Sequence, residues 1–239
     1  MTGTLLNTIV VILAGIAGAL IGNRLPAKIR ETGMHGIGLT TLLIGLQMAL
    51  GARNLLVVLG SLVVGGAVGE ILGIETGLER LGRWVENRLA ERSPAAASGE
   101  RKRGTFARAF VTASLVFCVG PMAITGAIQD GLTGNYDTLA VKSLLDGITG
   151  LAFASTMGIG VAFSSGVVLV YQGALTLAAA WLRDLLTEAV RAEMVATGGL
   201  LIVGIGLNLL NLMRIRVSNL LPALLLAPLV TGLLANLAP

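Results

Sequence analysis

Residues 117–131 read FCVGPMAITGAIQDG and decide the fold, because they place a proline in the middle of an apolar segment of helix length. Pro121 has no amide hydrogen, and its ring clashes with the carbonyl group four residues earlier, so a helix must kink or break at Gly120-Pro121. Inside a membrane, the backbone carbonyls freed by such a break are tolerated only where protein or water satisfies them. The stretch therefore predicts a broken helix that lines a cavity.

The composition of the whole chain indicates a membrane protein. Of its 239 residues, 54% are hydrophobic and 13% are charged, and the mean hydropathy is +0.86; soluble domains carry about 25% charged residues. A spanning helix needs about 20 apolar residues. We expect an all-α polytopic protein with eight spans, or seven and a re-entrant segment, because the uncharged run 147–182 is divided only at small residues. The eight predicted spans are 4–22, 34–51, 54–73, 106–129, 138–156, 160–182, 196–213 and 217–237.

The positions of the basic residues predict an orientation. Most of the 17 lysine and arginine residues lie on one side of the eight-span arrangement. Only Arg53, Arg183 and Arg191 fall on the other side, and Lys142 lies within a span. Positive residues mark the cytoplasmic side, so we expect both termini outside and loop 75–108 in the cytoplasm. The net charge of +4 is explained by this placement, and we expect the lipid bilayer as partner and no nucleic acid.

Loop 75–108 has two parts. In residues 75–92, apolar side chains recur at helical spacing between charged ones, which predicts an amphipathic helix in the inner membrane interface. Residues 93–99 are typical of a flexible linker, and the basic run 101–103 follows. The loop is either an anchor that binds anionic lipid or a docking site for a partner protein.

An internal repeat is indicated when the chain is shifted by 161 residues against itself. Five predicted spans precede the second copy, so the copies would have opposite orientations, as in the inverted repeats of secondary transporters. Convergence of two helices rich in glycine and leucine is the alternative, and with seven spans the copies would be parallel. The aligned residues include Arg30 with Arg191, Gly38 with Gly199, Gly45 with Gly206, Gln47 with Asn208 and Arg53 with Arg214.

The repeat divides the chain into four parts. Residues 1–74 form a first three-helix repeat, and 75–104 form the cytoplasmic amphipathic helix and basic linker. Residues 105–158 form a central helix pair that contains the broken helix. Residues 159–239 form the second three-helix repeat.

Ionisable side chains within spans mark candidate sites, because each costs about 2.5–3.5 kcal/mol on insertion scales. Lys142 and Asp146 are four residues apart and share a helix face, and Ser143 stands nearby. They form either a structural salt bridge or a pair that an ion or solute can separate. Glu70 lies about one turn from the inner end of its span and can reach the interface.

The broken helix and the span after it predict an outer vestibule. Gln129 and Asp130 end the broken helix on the outer side, where the next span begins. The two ends can meet, so the vestibule would be lined by Gln129, Asp130, Ser143 and Asp146, with Lys142 holding one carboxylate. Its acidic excess favours a cation.

Several short motifs along the chain are distinctive. They are CVGPMAI at 118–124, Gly126, QDG at 129–131, KS at 142–143, DG at 146–147, QG at 172–173 and NLLPAL at 219–224. Together they resemble the YqgA-like family of bacterial inner-membrane proteins of unknown function, over nearly the whole chain. The resemblance implies a multi-pass protein of the bacterial inner (plasma) membrane with a role in transport and no known substrate.

The function that these features predict is ATP-independent transport of a small ion or solute, coupled to a cation or a proton. No Gly-x-x-x-x-Gly-Lys-Ser/Thr loop occurs in the chain. Gln47, Asn208 and Asn211 are secondary polar positions in the repeat. The alternatives are an ion channel of the same architecture and a scaffold or regulatory subunit that acts through loop 75–108.

Enzyme function is not expected. The single histidine and single cysteine leave no histidine-rich or CxxC metal site, so we expect no catalytic residue, no metal and no cofactor. Asp130 and Asp146 lie on adjacent spans, but the Gly-x-Gly-Asp signature of intramembrane aspartyl proteases is missing. Small-residue pairs at 18–22 and 65–69 would pack helices within the chain or, alternatively, in a homo-oligomer.

Overall fold

The computed structural model of the protein describes residues 1–22, 24–78, 80, 84 and 105–237, and the regular elements in these ranges are all helical. The all-α prediction is confirmed. The amphipathic helix and linker predicted in 75–104 lie mostly outside the described residues. The elements are α1 (Thr2–Gly22), α2 (Ala27–Ala49), α3 (Leu55–Leu72), α4 (Thr105–Cys118), α5 (Pro121–Thr133), α6 (Asp137–Met157), α7 (Gly160–Leu177), α8 (Ala179–Leu185), α9 (Glu188–Leu209), a 3₁₀ turn (Val217–Leu220) and α10 (Ala223–Leu237).

Five helical segments are long and apolar enough to span a membrane, and the bent pair of α4 and α5 would make a sixth. The five are α1, α3, α7, α9 and Val217–Leu234, which joins the 3₁₀ turn to α10. Helices α2 and α6 have 23 and 21 residues but are not among them; both contain several ionisable side chains. The protein is thus a helical membrane protein, and the predicted count of seven to eight spans is not confirmed.

The predicted break in the helix is confirmed. Helix α4 ends at Cys118, α5 begins at Pro121, and the two are bent by 59° relative to each other. Gly120 caps α5 with an extended backbone, φ −64° and ψ 148°. Pro121 occupies the first position of α5, where its missing amide hydrogen removes no intrahelical hydrogen bond.

Helices α6 and α7 are separated by a short glycine turn. Gly158 has φ +91°, in a region that side chains other than glycine rarely adopt, and α7 begins two residues later. The division of the uncharged run 147–182 at its small residues is therefore confirmed.

Each of the first three helices packs in antiparallel orientation on a helix of the last third of the chain. These pairs are α1 with α7, α2 with α9, and α3 with the segment of the 3₁₀ turn and α10. Helix α1 also packs along α6, in parallel orientation. The contacts that define two of the antiparallel pairs are Thr4 with Thr176 and Gly15 with Ala162, and Gly65 with Ala223 and Gly69 with Asn219.

Glycines bring α2 and α9 close together. A Cβ atom added at Gly45 would lie 2.6 Å from the backbone nitrogen of Val203, and one added at Gly206 would lie 2.6 Å from Cγ of Leu42. Val203 and Gly206 lie 161 positions after Leu42 and Gly45, so each contact is the counterpart of the other under the shift that aligns the sequence.

A second pair of contacts in this interface is reciprocal under the same shift. A Cβ at Gly38 would lie 2.8 Å from the side chain of Leu210, and one at Gly199 would lie 2.6 Å from the backbone nitrogen of Ala49. Both distances are too short for a real Cβ atom. Glycine at these positions is therefore what allows the two helix backbones to approach.

Candidate functional site

A cavity of about 710 Å³ lies at the break between α4 and α5. Its walls are the C-terminal end of α2 with the loop after it, the break, the first half of α6 and the first two turns of α9. Gly51 and Arg53 place it on the side of the loop between α2 and α3, which the charge pattern predicts to be outside. Its polar and charged lining residues are Gln47, Arg53, Thr125, Lys142, Asp146, Glu188 and Arg191.

A buried ion pair forms part of the cavity wall. Lys142 Nζ donates a hydrogen bond to Asp146 Oδ2 within α6, and the two residues are 5% and 8% exposed. The pairing that the four-residue spacing predicted is confirmed. Because a buried charge is costly without a partner, the opposite charges of the two side chains compensate each other.

Asn7 adds a contact to this pair that the sequence did not predict. Its Nδ2 donates to Asp146 Oδ2 at 3.0 Å and to Oε1 of Gln172 at 3.3 Å, so the pair is joined to α1 and α7. Within the described residues, Oδ1 of Asn7 and Nε2 of Gln172 have no hydrogen-bond partner, and both side chains are fully buried. The sequence shows Asn7 as a polar amide in an apolar span, but it does not show which helices face this side chain.

The residues predicted to form the outer vestibule do not line one common cavity, because they bind different partners. Asp130 is 4% exposed, and its Oδ2 accepts from the amino group of Met1 at 3.0 Å and from the backbone of Gly3 at 3.1 Å. Gln129 accepts from Thr138 through Oε1 at 2.9 Å. Neither Asp130 nor Gln129 lines the cavity described above.

Ser143 also turns away from the predicted vestibule. Its Oγ donates to the carbonyl of Leu139 at 2.6 Å, one turn earlier in α6. Of the predicted candidates, the cavity therefore contains Gly120, Lys142, Asp146 and Gln47. The expected acidic excess is not found in its lining, where basic side chains outnumber acidic ones.

The mouth of the cavity carries further charges that were not predicted as site residues. Arg53 Nη2 lies 3.2 Å from Glu188 Oε2. Arg191 follows on α9, and its Nε is buried with no hydrogen-bond partner in the described part of the chain. The repeat alignment had marked both arginines, but only as aligned positions.

Glu193 anchors the loop beside the cavity. It is 1% exposed, and its Oε1 accepts from the backbone nitrogens of Arg53 at 2.8 Å and Asn54 at 2.7 Å. These amides precede α3, so the carboxylate of α9 fixes the start of α3. Glu193 could not be identified from the sequence, because its partners are backbone groups of a distant loop.

The secondary polar positions have different environments. Gln47 is exposed in the cavity. Its aligned counterpart Asn208 makes two hydrogen bonds with the backbone of Ile215: Asn208 Nδ2 donates to the carbonyl oxygen at 2.7 Å, and Asn208 Oδ1 accepts from the backbone nitrogen at 2.8 Å. The carbonyl of Asn208 also accepts from Arg108. Asn211 lies in the turn after α9 with φ +56°.

Glu70 lies at the end of α3 in an exposed cluster. It pairs with Arg216 and accepts from Asn219 Nδ2 at 2.5 Å. Among the described residues, no group of three histidine, cysteine, aspartate or glutamate side chains is placed to hold a metal ion.

Comparisons with known proteins agree with a membrane protein of unknown activity. The family described as "Protein of unknown function (DUF554)" matches residues 2–232. The "Uncharacterized protein YqgA" of Escherichia coli K12 is 34% identical over 227 residues, which cover 94% of each chain. The "Uncharacterized membrane protein YdfK" of Bacillus subtilis 168 is 28% identical over 235 residues, 96% of this chain and 95% of that one. No solved structure matches.

Proposed function

The chain belongs to the DUF554 family, and we propose that it is an ATP-independent membrane transporter of a small ion or solute. The observation that carries the proposal is the cavity at the helix break with the Lys142–Asp146 pair in its wall. A broken helix, a cavity and a buried ion pair at one place are the usual features of a transport site within a membrane.

The size and composition of the cavity suit a small ligand. Its volume of about 710 Å³ falls within the range of about 300–1,000 Å³ that small-molecule sites have. Most of its lining is apolar, and the charged groups are few. Such a site gains specificity from a small number of polar contacts, which here come from α6 and α9.

Support for an inverted repeat comes from the helix pairs. Each helix of the first proposed repeat lies antiparallel to its counterpart in the second, and the glycine contacts between α2 and α9 are reciprocal under the shift of 161 residues. Opposite orientations of two similar halves allow one central site to open to either side in turn.

The two halves differ at one pair of aligned positions. Gln47 is exposed in the cavity, whereas Asn208 is hydrogen-bonded to Ile215 and to the Arg108 side chain. A transporter that is open on one side requires this kind of difference between equivalent positions. We therefore assign this structure to the state open on the side of the loop between α2 and α3.

The proposed coupling to a cation or proton acts through Asp146. Asp146 is the carboxylate in the cavity wall that has both a lysine and an amide as partners. If the lysine turns to a solute, the carboxylate needs a proton or cation to replace it, because an unpaired charge there is costly.

Cysteine labelling tests the transporter proposal without knowledge of the solute. Gln47→Cys and Asn208→Cys are made separately on a Cys118→Ala background, which removes the single native cysteine. A membrane-impermeant maleimide is applied from either side, with and without a panel of salts and small metabolites. Leu43→Cys, an exposed position of α2 outside the cavity, is the control that lipid should shield.

We expect Gln47→Cys to react only from outside and Asn208→Cys only from inside. A transported solute should change the two rates in opposite directions. A channel would make both positions reactive from one side at the same time. If no solute changes the labelling rate at either position, the result contradicts transport.

A further inference from the structure

The charged residues that line the cavity include more bases than acids. They comprise three bases, Arg53, Lys142 and Arg191, and two acids, Asp146 and Glu188. Both acids already have a basic partner, since Asp146 pairs with Lys142 and Glu188 lies 3.2 Å from Arg53. One positive charge, that of Arg191, is left over in the lining.

Arg191 has hydrogen-bonding capacity that the described residues do not use. Its Nε is buried and has no acceptor there. A buried donor without an acceptor destabilises the folded protein, and does so more when the group is charged. Arginine binds carboxylate and phosphate groups with paired N–H donors, so an anion in the cavity would bind the Nη groups of Arg191 and compensate its charge.

The break supplies a second source of positive potential at the same cavity. Gly120 and Met122, at the start of α5, line it. A Cβ added at Gly120 would meet no atom within 4 Å, so there is open space in front of this helix end. Pro121 has no amide hydrogen, and the amide of Ala123 donates to the carbonyl of Gly120 at 3.0 Å, so the amide of Met122 is the donor that this turn can offer to a ligand. The helix dipole adds a partial positive charge there.

Lys142 can contribute while Asp146 keeps one hydrogen bond. Asp146 Oδ2 also accepts a hydrogen bond from Asn7 at 3.0 Å. If Lys142 turns toward a ligand in the cavity, the Asn7 amide keeps its hydrogen bond to this carboxylate oxygen, and the proton or cation proposed above replaces the charge of the lysine. The arrangement lets the lysine exchange one negative partner for another.

From these observations we propose that the cavity binds a small anion, held by Arg191, Lys142 and the first turn of α5. The ligand is a carboxylate or inorganic oxyanion, since these groups match the guanidinium donors of Arg191 and the amide of Met122. The proposal names the substrate class of the transport function proposed above and rests on it for that meaning. Anion binding itself can be measured without transport.

The test is thermal melting of the full-length protein in detergent. Sodium acetate, phosphate and sulfate are titrated against sodium chloride at constant ionic strength, and sodium is then replaced by potassium and choline. We expect a saturable rise of Tm with at least one anion, whichever cation accompanies it. Arg191→Gln should weaken the apparent affinity about tenfold or more, because it removes a charge-assisted contact.

Two further variants separate the site from general effects of charge. Arg24→Gln removes an exposed cation outside the cavity and should respond like the wild type. Arg191→Lys keeps the positive charge and should recover part of the affinity, which also shows that position 191 tolerates substitution.

The proposal is overturned if the Tm rise follows the cation, if no anion in the series stabilises the protein, or if Arg191→Gln and Arg24→Gln respond equally. An anion response of the expected kind together with fixed cysteine labelling would support the anion site and refute transport. Solute-dependent labelling with no anion response would refute the anion site alone.

Discussion

The Lys142–Asp146 pair shows what a membrane interior demands of a single residue. Removing one partner of a buried pair costs about 3–5 kcal/mol, because the remaining charge has no compensation. We predict that Lys142→Met lowers the free energy of unfolding by this amount, whereas Lys142→Met/Asp146→Leu loses much less. Unfolding by SDS in mixed micelles measures both.

The control for this prediction is the exposed pair of Arg216 and Glu70, whose side chains are 66% and 54% exposed. Exposed pairs contribute about 0–1 kcal/mol, so Arg216→Gln should have little effect. Equal losses for Lys142→Met and Arg216→Gln would show that the pair in α6 is solvated.

Glu193 gives a second prediction for a single side chain. Glu193→Ala leaves the amides of Arg53 and Asn54 without their acceptor and should cost about 1–3 kcal/mol. Glu193→Gln retains a carbonyl oxygen and should cost less. Hydrogen exchange at the start of α3 should rise more in the alanine variant; unchanged exchange there would refute the anchoring role.

These residues mark the limit of prediction from sequence. The spacing of Lys142 and Asp146 predicted their pairing, because residues four apart on a helix are neighbours. Asn7, Gln172 and Glu193 were missed because their partners lie on other elements, and helix packing alone brings them together. The acidic vestibule was predicted because the end of the broken helix and the start of the next span lie close together in sequence. In the structure, however, Asp130 binds the start of α1.

At the scale of the element, local chemistry predicted the helices well. The break at Gly120-Pro121 and the glycine turn at 158 follow from what these residues permit in the backbone. The pairing of α2 with α9 could be suspected only from the repeat, since glycine-rich faces are common and do not specify a partner.

Two glycine substitutions test these elements. At Gly199, a Cβ would lie 2.6 Å from the backbone of Ala49, so Gly199→Ala should destabilise the protein by about 1–3 kcal/mol. At Gly120, the added Cβ meets open space and the backbone suits alanine, so Gly120→Ala should change stability by less than about 1 kcal/mol. The reverse order in SDS unfolding would contradict the packing of α2 on α9.

For the whole molecule, the family resemblance read from short motifs is confirmed by matches over nearly the full chain. The small-residue pairs at 18–22 and 65–69 pack within the chain, the first on α6 and the second on the 3₁₀ turn and the start of α10. The homo-oligomer stays a prediction. Composition identified the membrane class, whereas the number of spans depends on how polar helices such as α2 and α6 sit in the bundle.

The orientation of the whole molecule is a prediction of the basic residues. Alkaline phosphatase fused to the C-terminus should be active, because that end is predicted to lie outside. Green fluorescent protein inserted between Ala96 and Ala97 should fluoresce, because that loop is predicted to be cytoplasmic. Fluorescence from a C-terminal fusion would invert the predicted orientation.

The glycine contacts between α2 and α9 are the same when the two helices exchange roles. A surface with this property is self-complementary, so it suits docking of two identical chains in antiparallel orientation. If the repeat arose from an ancestor of half the length, that ancestor would have to insert into the membrane in both orientations, and its lysine and arginine residues could favour neither side. Gene duplication followed by fusion would then free each half to acquire its own charge pattern.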